Sequence, residues 1–226
     1  MGVLYIIATP LGNLKDITLR ALEILKEVDL IVCEDTRQTA KLLNRYNISK
    51  PLTSYFQHSK LSKIDYIAQQ LKQRKKVALV TDAGTPGISD PGGKLVKEVI
   101  ESLSSQVKIV PIPGPNAAIA ALSVSGFPAD KFVFMGFPPH KKGREKFFKE
   151  VAETKYTVVF YESKHRILKT LGQLKTVLSP DRYLVVCREL TKQFESIYRG
   201  SAEEILKILE SDKNNQKGEF VIVFGK

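Results

Sequence analysis

The sequence predicts an α/β protein whose sheets are mainly parallel. Short apolar runs, typical of buried strands, alternate with longer segments whose apolar residues repeat at helical spacing. Near the middle of the chain, the Pro- and Gly-rich residues 111–115 can continue neither a helix nor a strand. These observations together predict two α/β domains of similar size, residues 1–113 and 114–226.

In the first half, five strands alternate with four helices. The predicted strands are residues 4–8, 30–33, 52–55, 77–80 and 107–112. The predicted helices are residues 18–28, 39–46, 59–74 and 94–102. The first helix is typical, since Leu22, Leu25 and Val28 fall on one face of it.

The second half repeats the alternation. Strands are predicted at residues 132–135, 157–161, 183–187 and 220–224, and helices at 116–123, 144–152, 166–178 and 202–209. Residues 194–199 alternate between polar and apolar side chains, which indicates an antiparallel strand.

The composition indicates a folded, basic protein. A chain of 226 residues with 43% hydrophobic residues can bury a real core, which excludes a disordered protein. Its 35 Lys and Arg against 24 Asp and Glu give a net charge of +11, and this favours an anionic partner such as nucleic acid. The excess is +5 before Pro113 (16 basic against 11 acidic residues) and +6 from there on (19 against 13), so it is not a basic tail. A basic protein without such a partner would have the same composition.

Other simple features narrow the class of protein. Cys33 and Cys187 each end an apolar run, so we expect buried thiols in strands, with neither a disulfide framework nor a zinc site. The first residues lack the basic start of a signal peptide, and no apolar run approaches the ~20 residues of a membrane span. The sequence therefore predicts a cytoplasmic protein.

The loops that follow the strands are where chemistry is expected, because ligands of open α/β sheets bind beyond the carboxyl ends of the strands. Residues 9–13, after the first strand, lack the G-x-G-x-x-G fingerprint of nicotinamide dinucleotide enzymes. Residues 81–93 hold four glycines and two prolines, so their backbone can approach a ligand closely. Gly93-Lys94 would fit a P-loop only with Gly at position 88 and Ser or Thr at position 95, where this chain has Ile88 and Leu95, so a nucleoside triphosphate site is not expected. A tight turn capped by Asp82 would also account for these glycines and prolines.

Two further loops draw attention. Residues 113–118 place small side chains at a helix start, which leaves room for a flat ring or a carboxylate. Glu34, Asp35 and Arg37 crowd the end of the second strand, where they could act as a base or a substrate clamp. An N-cap with a surface ion pair explains that cluster equally well.

Several of these segments together resemble the tetrapyrrole methylase superfamily, the class III methyltransferases. They are Leu11 with Asp16-Ile17-Thr18, Glu34-Asp35-Thr36-Arg37, the loop from Asp82 to Gly92, Ile112-Pro113-Gly114-Pro115-Asn116-Ala117, Phe134-Met135-Gly136-Phe137-Pro138-Pro139, and Phe160-Tyr161-Glu162-Ser163 with His165-Arg166. The resemblance covers essentially the whole chain, although Pro138-Pro139 stands where Leu-Pro is expected. The long loop is most similar to the branch that methylates a ribose 2′-hydroxyl of a cytidine in small-subunit ribosomal RNA.

The resemblance implies two α/β domains with an S-adenosylmethionine (SAM) cleft between them, and a homodimer. It implies a cytidine at position 1402 of 16S ribosomal RNA as the substrate. The donor-binding positions that it implies are Leu11, Asp82, Gly84, Ile88, Ser89, Asn116 and Ala117, with Met135, Tyr161 and the last strand near Gly218 on the adenine side.

Methyl transfer from a sulfonium needs positioning more than acid chemistry and requires no metal. The predicted catalytic residues are Glu34, Asp35 and Arg37, and Glu162 is a further candidate base. Residues 140–149 hold five Lys and Arg and one acid, and we expect Lys141, Lys142 and Arg144 to contact RNA phosphates. The same segment could be a solvated helix start whose Phe147 and Phe148 pack inward.

Two other functions remain open at this point. A methyltransferase acting on a small, tetrapyrrole-type molecule would share the cleft, but it has no use for the charge of +11. A non-catalytic RNA-binding protein would explain the charge, but it would not need the two Gly- and Pro-rich loops.

Overall fold

The computed structural model describes residues 1–56, 61–179 and 182–225. Its contacts divide the chain into two compact units, Met1–Asn116 and Ala117–Lys226. Each unit consists of one five-stranded sheet with helices packed against it. In the described part of the chain, no helix is both long and apolar enough to span a bilayer.

The first unit has a sheet in which every neighbouring pair of described strands is parallel, as the alternating pattern predicts. The strands lie in the order β3-β2-β4-β1-β5. Their bounds are Gly2–Ile7 (β1), Leu30–Cys33 (β2), Leu52–Ser54 (β3), Lys76–Leu79 (β4) and Val107–Ile112 (β5). The helices are Leu19–Glu27 (α1), Thr36–Arg45 (α2), Leu61–Lys72 (α3) and Gly92–Leu103 (α4). Residues 59 and 60 of the predicted third helix lie outside the described residues.

Local sequence accounts for the helix starts in this unit. Thr18 caps α1 by accepting a hydrogen bond from Ala21 N. Asp35 accepts one from Arg37 N, so α2 begins at Thr36, three residues before the predicted start. Apolar side chains of the sheet alternate between its two faces, and the helices bury both faces in separate clusters.

The second unit has a mixed sheet, and here the prediction of mainly parallel pairing is wrong. Its strands lie in the order β6-β7-β10-β8-β9, and among the described residues only β6 and β7 pair in parallel. The strands are Phe132–Phe134 (β6), Thr157–Ser163 (β7), Leu184–Arg188 (β8), Ser196–Gly200 (β9) and Glu219–Phe224 (β10). The helices are Ala117–Ser125 (α5), Arg144–Glu153 (α6), Ile167–Val177 (α7) and Ala202–Ser211 (α8). The final strand enters between β7 and β8, and both faces of the sheet are buried, so the strands have the continuous apolar runs usual for parallel ones.

Other expectations for buried side chains are confirmed. Cys33 and Cys187 are free thiols in the interior, and burial raises the pKa of Cys187 to about 12, which keeps it protonated. Phe147 and Phe148 of α6 pack into the core of the second unit. The antiparallel strand expected near residues 194–199 is present as β9, paired with β8.

Candidate functional site

Three of the loops singled out in the sequence meet at one edge of the first sheet. They follow β4, β1 and β5, which are neighbours, so parallel pairing brings their carboxyl ends together. Thr9 and Gly84 exchange both backbone hydrogen bonds, at 2.9 and 3.0 Å, and Thr9 Oγ1 donates to the Thr81 carbonyl at 2.9 Å. Thr85 Oγ1 donates to the Pro115 carbonyl at 3.0 Å. The threonine hydroxyls thus tie the loops to one another.

Glycine is required where the loop after β1 approaches the loops after β4 and β5. Gly84 has a left-handed backbone, with φ of 86°, and a Cβ placed there would lie 3.3 Å from Leu11 Cδ2. A Cβ on Gly114 would lie 3.0 Å from the Cβ of Ala8. Leu11 and Gly84, both predicted to bind the donor, are therefore neighbours.

The remainder of the glycine-rich loop is held by an aspartate that the sequence analysis did not select. Asp90 Oδ1 accepts from Gly87 N at 2.8 Å and from Gly92 N at 2.7 Å. This contact leaves Ile88 and Ser89 exposed, and Ser89 adopts a left-handed backbone with φ of 64°. A tight turn capped by Asp82 is not what the structure contains, because Asp82 faces a different loop.

The acidic cluster after β2 joins the same edge. Asp35 N donates to Asp82 Oδ1 at 3.2 Å, and Asp82 N donates to Glu34 Oε1 at 3.4 Å. Thr81 Oγ1 also donates to Glu34 Oε1. Since β2 and β4 are parallel neighbours, the cluster and the glycine-rich loop share one end of the sheet.

Asp35 and Arg37 also form the helix N-cap and surface ion pair that the sequence left open as the alternative to a catalytic cluster. Asp35 accepts the capping hydrogen bond of α2, and its carboxylate lies 2.7 Å from the guanidinium of Arg37. These contacts with Arg37 lower the pKa of Asp35 to about 2. Desolvation, together with the negative charge of Asp35, raises the pKa of Asp82, although the hydrogen bond from Asp35 N opposes the rise. The two carboxylates are thus distinct in basicity.

Two of the predicted donor positions of the second unit, Ala117 and Tyr161, pack against one apolar cluster. Tyr161 N donates to the Gly136 carbonyl at 2.8 Å, and the Tyr161 ring lies 4.9 Å from that of Phe134 and 5.4 Å from that of Phe137. Ala117, the first residue of α5, packs in the same apolar cluster as Tyr161. Asn116 is the last residue of the first unit.

Met135 and Gly218 also lie near strand ends in this unit. Met135 follows β6 and packs against the cluster on the other face of the sheet. Gly218 precedes β10 with φ of 98°, and a Cβ on it would lie 2.4 Å from Glu189 Cδ.

The basic segment divides into an exposed part and a buried part. Lys141 and Lys142 are exposed and form no ion pair with the described residues. Arg144 is only 3% exposed, and its guanidinium binds Gln173, Thr170 and the Pro139 carbonyl. The prediction that Arg144 contacts RNA phosphates is corrected accordingly: a charged side chain at the first position of α6 points into the protein.

Glu162 is also part of the interior. It is 1% exposed, and its carboxylate binds Thr170, Ser163 N and Arg166, so it does not face solvent as a base would need to.

One loop beyond a strand end escaped the sequence analysis. Arg188 is 7% exposed and donates to three carbonyls, those of Phe194, Asn214 and Lys217. The next residues turn through left-handed backbone at Glu189 (φ 52°) and Thr191 (φ 68°). Such strain is common at functional sites, and the charged run directly after a buried strand was the signal available in the sequence.

Comparison with known proteins places this arrangement in a family. The model of the tetrapyrrole (corrin/porphyrin) methylases matches residues 3–206. Two proteins named ribosomal RNA small subunit methyltransferase I are close relatives: that of Haemophilus influenzae is 46% identical over 98% of this chain and 78% of its own length, and that of Thermotoga maritima is 44% identical over 99% and 98%.

Solved structures share the fold at low sequence identity. A cobalt precorrin-4 methyltransferase of cobalamin biosynthesis has a TM-score of 0.71 at 18% identity, covering 99% of this chain and 94% of its own. The uroporphyrin-III C-methyltransferase of Thermus thermophilus has a TM-score of 0.68 at 18% identity, covering 100% and 95%. The chain belongs to the tetrapyrrole methylase family and, within it, to the ribosomal RNA small subunit methyltransferase I group.

Proposed function

We propose that this protein is a SAM-dependent methyltransferase that methylates the ribose 2′-hydroxyl of a cytidine in 16S ribosomal RNA, at position 1402. The observation that carries the proposal is the convergence of the loops after β1, β4 and β5, together with membership of the ribosomal RNA methyltransferase group. The net charge of +11 supports a polyanionic substrate.

The residues at the edge of the first sheet suit a ligand with a flat ring and a charged amino-acid end. Gly84 and Gly114 let backbone approach closely, Ile88 offers an exposed apolar surface, and Asp82 offers a carboxylate. We propose that these residues, with Leu11 and the loops of the second unit, hold SAM, which would supply an electrophilic methyl group when bound.

The chain's own contribution to the reaction is then mainly positioning. Glu34, Asp35 and Arg37 are proposed to orient the ribose hydroxyl or the adjoining phosphate near the donor loops, because hydrogen bonds link the cluster to Asp82. Exposed Lys141 and Lys142 are proposed to hold the RNA backbone. The protein is proposed to act as a homodimer.

Two experiments test the proposal. Calorimetry with S-adenosylhomocysteine should show binding, and its absence would refute the methyltransferase assignment. Mass spectrometry of ribosomal RNA from a deletion strain should show the loss of a single 2′-O-methyl group. If that modification persists while the purified protein methylates a porphyrin precursor, the substrate is a small molecule instead.

A further inference from the structure

A buried ion network lies under the basic segment of the second unit. Glu162, at the end of β7, has a side chain that is 0% exposed, and Arg144 and Arg166 have side chains that are 4% and 14% exposed. Arg166 Nε lies 2.9 Å from Glu162 Oε1, and Arg144 Nη2 lies 3.6 Å from Glu162 Oε2. Thr170 Oγ1 bridges this second pair, donating to Glu162 and accepting from Arg144, both at 2.5 Å. The carboxylate thus fixes both guanidinium groups.

Both arginines also bind backbone carbonyls of one loop, the segment between β6 and α6. Arg166 Nη1 donates to the Pro138 carbonyl at 2.8 Å, and Arg144 Nη1 donates to the Pro139 carbonyl at 3.1 Å. Gly136, two residues before Pro138, is tied to β7 because its carbonyl accepts a hydrogen bond from Tyr161 N. The following helix begins at Arg144 itself. Residues 140–142 are therefore an exposed tip on a segment that is fixed on both sides.

The tip carries the two exposed lysines, and the base of the loop carries Phe137, whose ring contacts Tyr161. A buried ion pair is a poor source of net stability, because desolvation of the charges offsets their attraction. Its effect on geometry is specific here. The Glu162 carboxylate orients both guanidinium groups, and each guanidinium binds one carbonyl of Pro138-Pro139. Arg166 lies two residues after exposed Lys164, so its hydrogen bond to the Pro138 carbonyl also ties the segment after β7 to the basic loop.

We propose that Glu162 is a positioning residue: through Arg144 and Arg166 it holds residues 137–142 in place, so that Lys141 and Lys142 present their charges to the RNA backbone. This inference rests on the proposed function for the identity of the anionic substrate. The position of the loop does not rest on it.

A single-tryptophan reporter tests the position of the loop. The chain has no tryptophan, so Phe137→Trp, at a side chain that is 50% exposed, gives one signal from the loop base. In this parent protein, Arg166→Met removes the donor to Pro138 and is milder than Glu162→Gln, which leaves two guanidinium groups without their carboxylate. Arg166→Lys keeps the charge but offers one ammonium in place of a two-pronged group.

Arg182→Met is the matched control. Arg182 is also half-buried in the second unit, donates to the Gly225 carbonyl at 3.2 Å and lies over the ring of Phe224. Phe224 pairs with Val158, at the opposite end of β7 from Glu162. Loss of the Arg182 contacts should lower stability without changing the position of the basic loop.

We expect Arg166→Met, and less strongly Arg166→Lys, to raise acrylamide quenching of the reporter, while Arg182→Met leaves it at the parent value. The KM for RNA should rise by roughly tenfold, on the order of one or two weakened phosphate contacts at 0.1 M salt. The kcat and the affinity for S-adenosylhomocysteine should stay near those of the parent.

Other results would overturn the inference. Unchanged quenching in Arg166→Met, or an equal rise in Arg182→Met, would show that the network does not position the loop. Raised quenching with an unchanged KM would remove its role toward RNA. If the parent protein methylates no RNA at all, the proposed function fails instead, and quenching alone still decides whether the network holds the loop.

Discussion

Changing the two lysines and the arginine of the basic segment separately should give two different kinds of defect. Lys141 and Lys142 are exposed, so Lys141→Ala with Lys142→Ala should lower RNA affinity and leave stability unchanged. Neutralising two phosphate contacts should reduce the slope of log affinity against log salt by about 1.4 to 1.8. Fluorescence anisotropy with labelled RNA at several salt concentrations measures this slope.

Arg144→Met should instead unfold the second unit more easily. The change removes the hydrogen bonds to Gln173, Thr170 and Pro139 and one of the two cations facing Glu162. Arg166 still faces that carboxylate, so the loss should lie near the lower end of the ~3–5 kcal/mol typical of a broken buried pair. With a urea m-value of about 1–3 kcal/mol/M, the midpoint should fall by about 1 M or more.

The two variants together make the reasoning refutable. Suppose that Arg144→Met lowered the slope of log affinity against log salt by the amount expected for one phosphate contact, about 0.7 to 0.9, while its urea midpoint stayed at the wild-type value. Arg144 would then be a phosphate ligand after all. If the double lysine variant kept the wild-type slope, the RNA would bind elsewhere on the surface.

Five other outcomes are expected. Asp82→Ala should weaken binding of S-adenosylhomocysteine in calorimetry while circular dichroism stays native, and unchanged binding would remove Asp82 from the donor site. Asp35→Asn or Arg37→Ala should lower single-turnover methylation by at least roughly tenfold with donor affinity near wild type, because the cluster is proposed to orient the ribose hydroxyl; two wild-type rates would leave only a helix cap. In a carboxyl NMR titration Asp35 should titrate near pH 2, so its contact with Arg37 stabilises the fold above the ordinary pKa of 3.8 and is lost as the pH falls through about 2. The pKa of Asp82 should fall in Asp35→Asn, and no change would show that the two charges are not coupled. Gly84→Ala should cost about 1–2 kcal/mol and weaken donor binding, because its φ of 86° disfavours a Cβ and Leu11 lies against it; wild-type stability would contradict the left-handed backbone.

Most element positions could be predicted from the sequence, because buried strands and amphipathic helices differ in apolar period. The strand at residues 30–33, for example, has the bounds that its four apolar residues indicate. Pairing direction in the second sheet could not be predicted in this way. A strand buried on both faces has the same continuous apolar run whether its neighbours are parallel or antiparallel, and the entry of β10 between β7 and β8 depends on contacts distant in sequence.

The candidate site was predictable to the extent that it depends on strand ends. Parallel neighbours place the loop with Gly84 beside the loop with Leu11, and the cluster at Glu34 beside Asp82. Side-chain direction was not predictable, and Arg144 is the clearest case. Exposed Lys142 and Lys141 lie two and three residues before it, but its partner Glu162 lies on another element and could be identified only in three dimensions.

The carboxylates after β2 are better arranged to orient a hydroxyl than to remove its proton. Arg37 keeps the pKa of Asp35 at about 2, which makes that carboxylate a weak base at neutral pH. Glu34 Oε1 already accepts hydrogen bonds from Thr81 Oγ1 and from Asp82 N. A displacement at a sulfonium methyl needs alignment of the attacking oxygen more than early loss of its proton, and alignment alone can supply several kcal/mol of the barrier. Threonine hydroxyls and backbone groups fix the loops of this site to one another, which is the kind of rigidity that such a reaction requires.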